Sequence, residues 1–159
     1  MVQADSCERS YVKDYSQQEV ADVIKHVLVD ALGLEDGEVT SQSSLKRDLG
    51  VESIDYLDIT FRLEKAFSID PKNRFVIPRG DLFPDQDAWV SFSQDPLFVK
   101  DGMVTNKGFK EIQKFAPYAD LYEFRKEPWA NEAEDVILTV GYIERYICQR
   151  LKAEKRLRE

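Results

Sequence analysis

The chain is poor in the side chains that do chemistry unaided. His26 is its single histidine, and Cys7 and Cys148 lie near opposite ends of the 159 residues. Such a set matches no zinc-ligand spacing, and it leaves a serine nucleophile with no base close in sequence. His26, between Lys25 and Val27, reads as a solvated or partly buried neutral ring rather than a ligand. No Gly-x-Ser-x-Gly elbow or Ser-x-x-Lys pair surrounds the central serine, Ser53, and no Gly-x-x-x-x-Gly-Lys phosphate loop occurs. Asp36-Gly37-Glu38 is too short for a calcium loop. Two isolated cysteines read as free thiols in a reducing compartment. The start, Met1-Val2-Gln3-Ala4-Asp5-Ser6, lacks the basic and apolar stretches of a signal peptide, and no apolar run approaches ~18 residues. A cytoplasmic monomer with no membrane insertion is therefore expected.

Positive charge is also short, with 22 Lys and Arg against 30 Asp and Glu, a net charge of −8. Nucleic acid is excluded as a general partner because phosphates demand a basic face, and basic partners are favoured. The exception is the tail Arg145, Arg150, Lys152, Lys155, Arg156 and Arg158. It reads as a solvated helix end with cations set against the helix dipole.

What is present is helical periodicity. The length suits one domain, or a small one carrying a large insertion. Residues 1–15 show no sustained pattern and read as a loose leader. Ser16-Gln17-Gln18-Glu19 has the form of a capping box. After it Val20, Val23, Ile24, Val27, Leu28 and Ala31 form one apolar stripe, with Gly33 as a stop. Leu45 and Leu49 pin the polar loop that follows. A second helix over Ser53 to Phe67 carries two apolar faces, Ile59, Leu63, Ala66 and Phe67 on one and Ile54, Leu57 and Phe61 opposite.

Residues 16–77 thus hold two helices, 78–132 an inserted subregion, and 133–159 a last helix and basic tail. In the insertion, Ala88–Phe92 and Leu97–Val99 are expected to form a small hairpin and Asn106–Phe115 a short helix. The last helix is expected over Asp135 to Leu151, with Thr139 capping its main part. The fold class is mainly α: three main helices, short ones, and an inserted subregion.

Ser53 stands at the start of the second helix among Glu52, Asp55 and Asp58. Composition and spacing leave two readings open. The hydroxyl caps the helix, or it is a passive attachment point to which another enzyme brings the base and the leaving group. A phosphodiester on Ser53 would sit at the positive end of the helix dipole.

Asp48-Leu49-Gly50-Val51-Glu52-Ser53-Ile54-Asp55-Tyr56-Leu57-Asp58-Ile59, continuing through Phe61 and Leu63-Glu64-Lys65-Ala66-Phe67, resembles the signature of acyl carrier proteins. Val23 to Leu34 resembles that family's first helix, and Leu138-Thr139-Val140-Gly141-Tyr142-Ile143 its last. The resemblance implies an acyl-carrier-like helical bundle. It implies that a separate Mg²⁺-dependent phosphopantetheinyl transferase attaches 4'-phosphopantetheine from coenzyme A to Ser53, and that the chain is no enzyme. Acyl intermediates of a specialised lipid or polyketide pathway would travel as thioesters on this arm. Glu52, Asp55 and Asp58, with Ile54, Leu57 and Phe61, would dock synthases, ligases or acyltransferases through basic surfaces. Glu52 and Ile54 depart from the family's usual aspartate and leucine, and Lys46 and Arg47 place positive charge where it is usually acidic. The insertion is expected to pack on the bundle and cover Leu57 or Phe61; its alternative role is to restrict partners or enclose the cargo. The alternative reading is a carrier-like interaction module that is never modified.

Overall fold

Two of the three main helices pack on the first, and the first and last begin where the sequence offers a cap. The computed structural model describes residues 13–158. Helix α1, Gln17–Leu32, starts with the Ser16 hydroxyl accepting from the Glu19 amide (3.1 Å) and the Glu19 carboxylate accepting from the Ser16 amide (2.7 Å). That amide, followed by the Arg158 side chain, holds the Glu19 carboxyl below the usual glutamate range. Gly33 ends α1 in the left-handed region at φ +66°, its amide returning to the Val29 carbonyl. The stripe Val20, Ile24, Val27 and Leu28 is buried, each side chain contributing roughly 1.5–3 kcal/mol.

Helix α2, Ser53–Phe67, packs on α1 and buries Ile59, Leu63 and Phe67. The intervening loop is held inside by Leu45, Leu49 and Val51, all buried. It is stitched to the last helix: the Leu45 amide donates to the Leu138 carbonyl (3.0 Å), and the amides of Val140 and Gly141 donate to Ser43 (3.0 Å) and Ser41 (2.8 Å).

Between α2 and the end of the chain lie helix α3, Gln86–Gln94, a two-stranded antiparallel hairpin of β1, Val99–Lys100, and β2, Met103–Val104, and helix α4, Asn106–Phe115. Two short 3₁₀ turns, Phe124–Lys126 and Ala130–Glu132, follow. Helix α4 has the bounds its periodicity predicts. The expected strand Ala88–Phe92 is instead part of α3. Trp89 and Phe92, one helical step apart, both turn into the core, where Phe115 meets each ring edge-on. The hairpin is real but begins where the second expected strand ends, turning through Asp101 and Gly102, both at positive φ.

The expected last helix is broken in two, α5, Ala133–Ile137, and α6, Val140–Ala153, because the Thr139 hydroxyl caps α6 by accepting from the Tyr142 amide (3.3 Å). α6 packs on α1 and buries Tyr142, Ile143, Tyr146, Ile147 and Leu151.

Two expectations about the ends are corrected. The loose leader lies outside the described residues up to 12, but Tyr15 is buried. Its amide donates to the Arg156 carbonyl and its carbonyl accepts from the Arg158 amide, both at 2.8 Å. The basic tail is a solvated helix end only in part: Lys152 in the last turn of the helix and Lys155 beyond it are exposed, but Arg156 and Arg150 are engaged. Arg156 is 3% exposed and donates to the carbonyls of Phe67 (2.7 Å) and Lys13 (3.1 Å). Arg150 donates to the Tyr146 hydroxyl and the Val76 carbonyl, both at 2.7 Å, and Arg158 pairs with Glu19 and Asp14. Backbone carbonyls thus take up Arg156 and Arg150, while Arg145, Lys152, Lys155 and Arg158 are exposed.

Candidate attachment site

Loop, helix and insertion converge on the first residue of α2. Gly50, at φ +69°, turns the chain outward. Val51 returns to the core and donates to the Leu45 carbonyl (2.9 Å), leaving Glu52 and Ser53 exposed. Glu52, not Ser53, occupies the cap position of α2, and its amide donates to Asp55 Oδ2 (2.8 Å). The Ser53 hydroxyl therefore does no capping and makes no hydrogen bond among the described residues. It is exposed at the end of a helix whose first amides lack intrahelical acceptors. An anionic substituent on this oxygen fits both the access and the local dipole.

The other predicted residues fall on two separate parts of the α2 surface. Ile54, Leu57 and Phe61 are 73%, 73% and 60% exposed. The insertion does not cover Leu57 or Phe61, contrary to expectation, because its own aromatic residues pack with one another and with α6. The acidic side chains are not equivalent. Asp55 is engaged with the Glu52 amide, and Asp58 accepts from Arg62 Nε at 2.8 Å, leaving the exposed Glu52 carboxylate with no ion pair among the described residues. His26 is exposed on α1, its Nδ1 lying 2.8 Å from the Asp22 carbonyl oxygen. No group of three His, Cys, Asp or Glu among the described residues is arranged to hold a metal. No described helix is long and apolar enough to cross a membrane. Cys148 is a free, half-buried thiol whose pKa is raised by burial and then by Glu144; Cys7 lies outside the described residues.

Sequence reasoning missed the wall facing Ser53. The segment from Ile77 to Gln86 lies opposite α2 and is fastened at three points. The Ile77 amide donates to Glu64 (2.8 Å), Asp81 accepts from the Tyr146 hydroxyl (2.6 Å), and Gln86 Nε2 donates to Glu134 (3.1 Å). Burial, followed by the Asp81 bond, pushes the Tyr146 phenol well above its ordinary range. Between wall and helix is a cavity of about 480 Å³ lined by Ser53, Tyr56, Thr60, Ile77, Leu82 and Phe83 among others. A second recess of about 380 Å³ opens on the other side of Ser53 toward Lys46, Gln86 and Glu134, with Lys46 Nζ 3.8 Å from Glu134. Tyr56, one helical step from Ser53, borders both. The step of three was available in the sequence, but Glu134 and Gln86 reach the site only through tertiary packing.

Residues 22–76 match the family model described as a phosphopantetheine attachment site. No solved structure matches the chain.

Proposed function

We propose, on the match of residues 22–76 to the family model for a phosphopantetheine attachment site, that the chain is a non-catalytic acyl carrier and that Ser53 is the residue to which its 4'-phosphopantetheine group is attached. The reading places the carrier in residues 16–77 and 133–159, with 78–132 inserted between them. Its cargo is an acyl intermediate of a specialised lipid or polyketide pathway. The observation that carries the assignment is the state of Ser53: exposed, first in α2, and relieved of capping by Glu52 and Asp55.

When bound, the group supplies a terminal thiol on which an acyl chain is held as a thioester. The chain's own residues perform simpler tasks. Ser53 presents its oxygen to a transferase that brings base and metal. The amides at the start of α2 favour the phosphodiester. Ile54, Leu57 and Phe61 form an apolar stripe for partner enzymes, and the net negative charge draws basic partner surfaces toward it.

Incubation with coenzyme A and a broad-specificity phosphopantetheinyl transferase tests this. One phosphopantetheine mass is expected on the wild-type chain and none on Ser53→Ala, read by intact-protein mass spectrometry. Absence of a Ser53-dependent adduct would leave an unmodified interaction module as the reading.

A further inference from the structure

Among the described residues that line the recess on the loop side of Ser53, Lys46 is the only cation, and the other charged groups there are the carboxylates of Glu52 and Glu134. The Lys46 backbone is fixed in place. Leu45 before it is buried, and its own carbonyl accepts from the Gly50 amide (3.2 Å), three residues short of Ser53. Its ammonium is held far more loosely. The Lys46 side chain is 55% exposed, and Nζ lies 3.8 Å from Glu134, the long end of an ion pair. Exposed pairs of this kind contribute only roughly 0–1 kcal/mol. Glu134 also accepts from Gln86 Nε2 at 3.1 Å, so it keeps a donor when Lys46 turns elsewhere.

Resting on attachment at Ser53, we propose that Lys46 holds the phosphodiester at the root of the arm, exchanging its pair with Glu134 for one with the phosphate oxygens. Charge selects this partner. A phosphodiester on Ser53 brings a full negative charge into a recess that already contains two carboxylates, and Lys46 is the cation there that offsets it. A hydrogen bond from ammonium to phosphate is charge-assisted and short, unlike the 3.8 Å pair it replaces. Two other arginines are candidates by proximity in sequence or space. Arg47 is exposed and lines neither the recess nor the larger cavity. Arg79 borders the larger cavity, but its segment is fastened through the Ile77 amide to Glu64, about three turns along α2 from Ser53. The positive charge at position 46 thereby acquires a role: it neutralises the root of the arm and fixes it against the loop.

The test uses apo and holo forms of the full chain, wild type, Lys46→Gln, Arg47→Gln and Arg79→Gln. The adduct mass on the wild type is read first, and failure to form it defeats the attachment reading and this inference together. With the adduct in hand, the phosphorus-31 resonance of the holo chain is expected to shift on Lys46→Gln and to stay in place on Arg47→Gln and Arg79→Gln. In urea-induced unfolding, Lys46→Gln is expected to lower the folding equilibrium constant about threefold more in the holo chain than in the apo chain, a difference that shrinks as salt rises. In the wild type alone, the nitrogen-15 resonance of the Lys46 ammonium is expected to move between apo and holo forms. A Lys46 ammonium unchanged by modification, an equal cost of Lys46→Gln in both forms, or a phosphorus resonance moved as far by Arg47→Gln or Arg79→Gln overturns the proposal while leaving attachment intact.

Discussion

Arg156 shows what a single residue does here that its position in a basic tail conceals. Its guanidinium is buried, donates to the carbonyls of Phe67 and Lys13, and pairs with Glu154 at 3.1 Å. Arg156→Ala removes the donors and strands the Phe67 carbonyl, so a loss of about 2–4 kcal/mol is expected in urea-induced unfolding. Charges on α2 call for the opposite treatment. Glu52 is exposed and has no ion pair among the described residues, while Asp58 already holds Arg62. Glu52→Lys is therefore expected to slow transferase modification several-fold at low salt, with the difference shrinking as salt rises. A smaller effect is expected from Asp58→Asn, since Arg62 already offsets that charge. Steady-state modification rates across a salt series check both. The exposed place of Ser53 at the head of α2 was legible in the sequence because its immediate setting, Glu52 and Asp55, is local in the chain. The burial of Arg156 was not, because the carbonyls it donates to are 89 and 143 residues away.

At the scale of elements, caps were the most readable feature. Ser16, Gly33 and Thr139 all act where the sequence places them, since a cap needs only residues three or four positions distant. The α3 segment was misread for the complementary reason. Ala-Trp-Val-Ser-Phe has strand-like composition, and the choice of helix is made by burial of Trp89 and Phe92 against Phe115, a tertiary fact. Gly108 in α4 gives a prediction in which two effects oppose. Alanine would favour the helix by about 1 kcal/mol, but its Cβ would lie 2.3 Å from the Phe98 carbonyl oxygen and 2.8 Å from Val104 Cγ1. A clash with backbone wins, because the hairpin must shift to relieve it. Gly108→Ala is expected to destabilise the chain by about 1–3 kcal/mol, with faster amide exchange around β1, β2 and α4 than in α1 and α2.

For the whole molecule, residues 78–132 and the three main helices share one continuous core rather than standing apart. Periodicity and spacing announced the three main helices, but where the insertion would lie was not written locally. That follows from a few distant pairs: Asp81 with Tyr146, Gln86 with Glu134, and Arg145 with the Tyr118 carbonyl at 2.7 Å. These put it beside Ser53 and leave the Ile54, Leu57 and Phe61 stripe open. The clasp at the other end of the molecule has a practical side. Tyr15 and Leu157 are bridged to each other and gathered near Phe67, the last residue of α2, whereas Ser53 is the first. A helix of this length separates its ends by roughly 20 Å. A surface tether or fusion partner joined through either strand of that clasp would thus leave from the far pole, and a chain immobilised this way would face the solution with its serine.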